Sequence, residues 1–183
     1  MADPLRPLRI NAVELLRQPG AVRDVELSVP AAPLDAAHER LAGDLDVALT
    51  LRSLNDAIEV TGTIAVDWAT VCRRCLVDIS GRALVDIDER YQVHVTDPDA
   101  YPIVDGQLDL TPLVRESALL ELDVERLCRQ ECAGLCPVCG ADRNEVDCGC
   151  DTTVRDERWA ALEGFTPDDD DGTDAGTRAG GEA

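Results

Sequence analysis

Ile58-Glu59-Val60-Thr61-Gly62-Thr63-Ile64-Ala65-Val66-Asp67-Trp68 decides the fold. Ile58, Val60, Gly62, Ile64, Val66 and Trp68 share one parity, and Glu59, Thr61, Thr63 and Asp67 fall on the other. That two-residue period belongs to a long β-strand with one buried face. Upstream, Val25, Leu27 and Val29 alternate with polar residues, as do Leu45, Val47, Leu49 and Leu51. Downstream, after Cys72-Arg73-Arg74-Cys75, the same style continues through Ala83, Val85, Ile87, Tyr91, Val93 and Val95. The cysteine pair is therefore expected in the turn of a β-hairpin. Successive strands without intervening helices predict an α+β protein built on a mainly antiparallel sheet or partly open barrel.

Short helices flank these strands. Asn11 followed by Glu14 has the form of a capping box and Pro19-Gly20 is a stop, so a helix is expected over Ala12 to Gln18. Thr96 to Gly106, rich in Asp, Pro and Gly, reads as a loop. Thr111-Pro112 then opens a helix near 112–120, with Thr111 as cap and Leu113, Val114, Leu119 and Leu120 turned to the core. A closing helix is expected over Thr153 to Leu162, with Trp159 and Leu162 packing back. The organisation predicted is a β-rich body over 1–125, a cysteine-rich segment and closing helix over 126–165, and a disordered acidic tail over 166–183, where apolar residues almost vanish.

The eight cysteines fall at ligand spacing. Cys136-Pro137-Val138-Cys139-Gly140 has the form of a zinc knuckle, in which proline pre-sets the turn and Gly140 allows a tight exit. Cys148-Gly149-Cys150 supplies a second pair, completing one tetrahedral set. Cys72 with Cys75 and Cys128 with Cys132 remain. They make a second set if the hairpin turn meets the segment before the knuckle. Alternatively Cys128 and Cys132 compete for the first metal, or Cys72 and Cys75 stay free. One or two structural zinc ions are thus expected. Thiol exchange is the rival chemistry for Cys72-x-x-Cys75, but it calls for a first cysteine at a helix N-terminus, and here the pair lies between strands. Arg73 and Arg74 could offset the charge of a zinc tetrathiolate, touch a phosphate, or form a solvated turn.

Seventeen basic against 37 acidic residues leave a net charge of −20, spread along the body and not only in the tail. Phosphate affinity comes from basic groups displacing counterions, so direct RNA or DNA contact is disfavoured and a basic protein partner favoured. Every basic residue is arginine, a bias read as genomic. The start, MADPLRPLRINAVELL, has no basic region leading into an apolar run, and no segment approaches the ~20 apolar residues of a membrane span. A cytoplasmic protein is expected, and in a reducing cytosol clustered cysteines hold metal rather than pair as disulfides.

Catalytic signatures are missing: there is no Gly-rich phosphate loop, nucleophile elbow or His-Glu-x-x-His helix. His38, in a loop, and His94, on the polar parity of its strand, read as surface residues. Four-cysteine sites also lack the open position a catalytic zinc keeps for water. No enzymatic activity and no small-molecule substrate are expected.

Asp67…Val71-Cys72-Arg73-Arg74-Cys75-Leu76, Asp109-Leu110-Thr111-Pro112-Leu113-Val114-Arg115-Glu116 with Leu119-Leu120-Glu121-Leu122, Cys128…Cys132-Ala133-Gly134-Leu135-Cys136-Pro137-Val138-Cys139-Gly140, Cys148-x-Cys150 and Asp156-x-Arg158-Trp159-Ala160-Ala161-Leu162 occur in one order. That order resembles the YceD-like family of large ribosomal RNA accumulation proteins, over about Ile10 to Phe165. The resemblance implies a bacterial or plastid ribosome-biogenesis factor needed for large-subunit ribosomal RNA to accumulate or be processed. In that family the CxRC turn recurs in members without the knuckle, which implies that the two cysteine halves are separable. Asp142-Arg143-Asn144-Glu145 departs from the Asn-Leu-Asn that often follows the family's CG. Acidity and an RNA-related role are reconciled if the chain acts through a basic ribosomal protein or an rRNA-processing factor. The competing classes are a zinc-ribbon interaction module in transcription or another assembly, and a thiol redox protein.

Overall fold

A computed structural model describes residues 3–153 together with Arg158 and Ala160. The expected closing helix and acidic tail lie almost wholly outside the described residues. After a 3₁₀ turn at Arg6–Leu8, the chain runs β1 (Arg9–Asn11), α1 (Ala12–Leu16), β2 (Val22–Val29), a second 3₁₀ turn at Ala32–Leu34, β3 (Leu45–Ser53), β4 (Ala57–Val71), β5 (Asp78–Gln92), β6 (Tyr101–Pro102), β7 (Gln107–Asp109) and α2 (Thr111–Leu122).

Strands β2 to β6 form one sheet in sequence order, antiparallel except for the short β5–β6 pairing. The α+β class is as expected, and of the two sheet forms it is the open one, because β2 and β6 end as separate edges. The period of the central run holds in space: Ile58, Val60, Ile64 and Val66 of β4 are fully buried, as are Leu45 and Leu51 of β3. One layer covers this face. It consists of α1, α2 and the small β1–β7 ladder, which brings Leu8, Ile10, Leu108, Leu110, Leu113, Val114, Ala118 and Leu122 onto the strands.

Several boundaries differ from expectation. β5 stops at Gln92, whose side-chain oxygen accepts the backbone N–H of Thr96 (3.0 Å) and folds the chain away. Val93 and Val95 are therefore half exposed beyond the strand, and His94 is an exposed residue after it. Asn11 does cap α1, accepting from the N–H groups of Val13 and Glu14, but the helix ends at Leu16. Thr111 does not cap α2. The Asp109 carboxylate accepts the Thr111 N–H at 2.9 Å, Thr111 Oγ1 is buried without a partner among the described residues, and Leu120 turns outward while Ala118 and Leu122 take the core. β6 adds a two-residue strand inside the expected loop.

The two 15-residue strands β4 and β5 pair from Ala57↔Gln92 to Val71↔Asp78, so their hairpin outruns β3. Its tip is Cys72 to Val77. The exit of α2 is led to that tip. Arg40 donates to the Leu122 carbonyl (3.2 Å) and pairs with Glu125, while Arg126 bonds Glu121 and lies 4.1 Å from the centre of the Trp68 ring. His38 sits half buried in its loop and reaches Asp123 at 3.5 Å.

Candidate metal centres

The hairpin tip is tied by the Cys72 N–H to the Val77 carbonyl (2.8 Å) and the Leu76 N–H to the Cys72 carbonyl (2.9 Å), with Leu76 in the left-handed region. These bonds turn Cys72 and Cys75 inward, where both are buried. Leu127 and Leu135 then bring Cys128 and Cys132 onto them, beside Ile79. The docking is made by backbone groups. Arg73 N–H donates to Arg126 O (3.1 Å), Leu135 N–H donates to Arg74 O (2.9 Å), and the Arg74 guanidinium donates to the carbonyls of Gln130 and Cys132. Arg74 thus clasps the backbone of the incoming segment. This contact is none of the three roles expected of it from the sequence.

Two groups of four sulfurs result. Cys72, Cys75, Cys128 and Cys132 form one, and Cys136, Cys139, Cys148 and Cys150 form the other, with the sulfurs of each within 4.8 Å of one another. All eight thiols are free. In the first group Cys72 and Cys132 lie 3.8 Å apart and Cys75 and Cys128 lie 3.7 Å apart. A tetrahedron with metal–sulfur bonds of about 2.3 Å has edges of about 3.8 Å. Either group could hold a metal ion.

The second group is local. The Cys136 N–H donates to Ala141 O (2.8 Å) and the Gly140 N–H to Cys136 O (2.9 Å), closing the knuckle, with Gly140 at φ 75°. Asp142 and Asp147 organise the return, the latter accepting the Gly149 N–H at 3.1 Å. Cys136 is buried, Cys139 exposed, and Cys148 and Cys150 half-buried.

The electrostatics of both groups suit a cation. Burial works against charge on Cys72, but the N–H groups of Cys75, Cys128 and Arg74 overcome it and hold the thiol down to about 6. The N–H groups of Cys139 and Val138 lower Cys136 to about 6. Cys75, Cys128 and Cys150 rise instead. Burial and then the sulfurs of Cys132, Cys75 and Cys72 push Cys128 up to about 12, and Cys139 and Cys148 push Cys150 up to about 12. Four thiolates cannot share so small a volume unaided, and a divalent cation removes the repulsion.

Sequence reasoning missed Asn144. It lies within the loop of the second group but serves the first. Its Oδ1 accepts from the Ala133 N–H (2.9 Å) and Arg129 (2.7 Å), and its Nδ2 donates to Cys132 Sγ at 3.5 Å. Burial opposes charge on Cys132, and this donor helps hold its thiol below the ordinary value. An Asx residue shortly after a Cys-Gly exit is the signal that could have found it. Gly134 was also overlooked. At φ 72° it lies against the hairpin, and a Cβ there would stand 2.9 Å from Arg74 O.

No helix among the described residues is long and apolar enough to cross a membrane. The family model described as Large ribosomal RNA subunit accumulation protein YceD matches residues 60–166. The uncharacterized protein Rv2926c of Mycobacterium tuberculosis is 32% identical over 167 residues, covering 85% of this chain and 80% of its own. ML1660 of Mycobacterium leprae is 26% identical, covering 74% and 67%. YlbN of Bacillus subtilis is 31% identical over 114 residues, covering 60% of this chain and 66% of its own. No solved structure matches. The matched region spans β4, the cysteine hairpin, α2 and both sulfur groups, so the chain belongs to the family of the large ribosomal RNA subunit accumulation protein YceD.

Proposed function

We propose that this chain is a non-enzymatic ribosome-biogenesis factor that promotes accumulation or processing of large-subunit ribosomal RNA, and that it does so through a basic protein partner. Family membership carries the first half of this reading. Charge supports the second: the net charge is −20, and Arg9, Arg40, Arg52, Arg82, Arg115 and Arg126 are each held by a carboxylate of the same chain. Cations already neutralised release no phosphate counterions. The partner is a ribosomal protein or an rRNA-processing factor.

Both cysteine groups hold structural zinc in this reading. Four thiolates complete the metal's shell, so the ion supplies cohesion and not a bound water. Asn144→Ala removes a donor to Cys132 and is expected to weaken zinc at the first group about 10- to 100-fold, as loss of outer ligand contacts commonly does. The second group should keep its affinity. Competition with a chromogenic chelator measures both, and equal weakening of the two would contradict the assignment of Asn144 to the first.

Depleting the protein should produce a deficit of large ribosomal subunits in sedimentation profiles, with small subunits accumulating free. Capture from lysate should retain basic ribosomal proteins after nuclease treatment. An unchanged profile overturns the role, and loss of all captured proteins with nuclease makes RNA the direct contact.

A further inference from the structure

β5 is bonded along its whole length on one side only. β4 pairs with every residue of it, whereas on the other side only Tyr91 and Gln92 are taken, by Tyr101 and Pro102. From Asp78 to Arg90 the second edge is open among the described residues. The Gln92 carbonyl points away from β4, because it accepts the Ile103 N–H at 2.8 Å. By the two-residue period, the N–H and C=O groups of the even-numbered residues back to Asp78 point the same way. The stretch contains no proline, and its register against β4 runs without a bulge. An edge this long and regular is a template for another strand unless its side chains forbid it.

The even-numbered side chains stand on the sheet face opposite Ile87 and Tyr91, away from the helices. Leu84, 66% exposed, lies at the middle. Around it the charges are antisymmetric: Asp78 and Arg82 precede it, Asp86 and Arg90 follow. Asp78, Asp86 and Arg90 have no ion pair among the described residues, while Arg82 is held by Asp46 and Asp67.

We propose that the open edge of β5 is a homodimer interface, at which the β5 of a second copy adds antiparallel about a twofold axis at Leu84. The midpoint of the open stretch is Leu84, so the register that uses all of it sets Leu84 on Leu84. That register places Arg82 opposite Asp86 and Asp78 opposite Arg90, and twofold symmetry repeats each pair. Sliding two residues toward the hairpin tip sets Asp78 against Asp88, a like-charge pair that costs stability. A uniformly basic strand would meet Arg82 and Arg90, and an acidic one Asp78, Asp86 and Asp88. This sequence is complementary to itself.

Sedimentation equilibrium of the full-length, metal-loaded chain tests this. A dimer is expected, and Leu84→Lys, which places two cations face to face at the axis, should raise its dissociation constant at least ~10-fold. Asp78→Arg and Arg90→Asp should each weaken it, and the double exchange should restore it to within about threefold, since the pair is re-formed with reversed sign. Because Leu84 is exposed, unchanged metal content shows that the variants fold. A chain that stays monomeric up to ~100 μM, and so pairs only with a dissociation constant weaker than that, overturns the proposal. So does a dimer indifferent to Leu84→Lys, or a monomer that dimerises only after removal of residues 166–183, which would give the edge to the chain's own tail.

Discussion

Cys72→Ser will release the segment that follows α2 from the hairpin while the five-stranded sheet stays folded. The first sulfur group joins parts of the chain that are far apart: Cys72 and Cys132 are separated by 60 positions, Cys75 and Cys128 by 53. Apart from the sulfurs, the segment is held by the half-buried Leu127 and Leu135, by Arg126 over Trp68, and by a few hydrogen bonds at Arg73, Arg74 and Leu135, each contributing about 1 kcal/mol net. A structural zinc site contributes on the order of 10 kcal/mol. With zinc bound as proposed, the metal therefore decides whether the segment stays. Serine replaces a thiolate by a hydroxyl that remains protonated at neutral pH, so the shell opens and the ion leaves. Zinc should fall from about two ions per chain to about one, and trypsin should cut rapidly after Arg126, whose side chain lies over Trp68 and whose carbonyl accepts the Arg73 N–H in the docked segment. Cys148→Ser should also lose one zinc but leave that site protected, because all four cysteines of the second group lie beyond the docked segment, between Cys136 and Cys150. A Cys72→Ser protein as resistant to trypsin as its parent would sink the idea. So would a parent that holds a single metal, with reactive thiols at Cys72 and Cys75.

How much of this was legible beforehand depended on the range of the interaction. Periodicity placed β2 to β5 and their buried parity, because alternation is a local consequence of the pleat. It also placed Cys72 and Cys75 at a turn. It failed where a side chain overrides the pattern. Val93 and Val95 keep the alternation after β5, yet Gln92 bonds the Thr96 backbone and ends the strand, a contact no period reports. Thr111 has the sequence form of a cap, but Asp109, two residues earlier, does the capping because β7 delivers it there. Division of eight cysteines into two fours was one of several arithmetic options. The structure groups them through the length of the β4–β5 hairpin, which outruns β3 and so reaches the Cys128 segment. Asn144 was out of reach because its role joins one cysteine group to the loop of the other. Each miss involves a partner that sequence spacing does not identify.

Gly62 is the position where the buried parity conceals a different requirement, and Gly62→Val should be the most damaging single change in the sheet. In the sequence it stands among Ile58, Val60, Ile64 and Val66 as one more inward position, which a valine would suit. In the structure it lies in the middle of β4, opposite Leu49 of β3 and Ile87 of β5, at φ 139°. With that backbone a Cβ does not point out of the pleat. It would stand 2.2 Å from the Ala48 carbonyl oxygen and 2.9 Å from the Leu49 Cα. Both are backbone atoms of a strand bonded on its two sides, so neither can rotate away. β3 and β4 must separate, or Gly62 must adopt an ordinary strand conformation and break local pairing. Either course adds lost hydrogen bonds to backbone strain of about 1–3 kcal/mol, for a total of roughly 3–5 kcal/mol. In a domain of this size that lowers the thermal midpoint by about 10 °C or more. Gly62→Ala should cost nearly as much, because the Cβ alone makes the clash. Gly43→Ala is the control: nothing lies within 4 Å of its added carbon and its φ is outside the left-handed region, so its midpoint should stay within about 1–2 °C of the parent. Calorimetry of the three variants separates a steric requirement from a general sensitivity to losing glycine. A Gly62→Ala protein melting with the control would show that β3 yields at Ala48, and the close approach would then carry no stability.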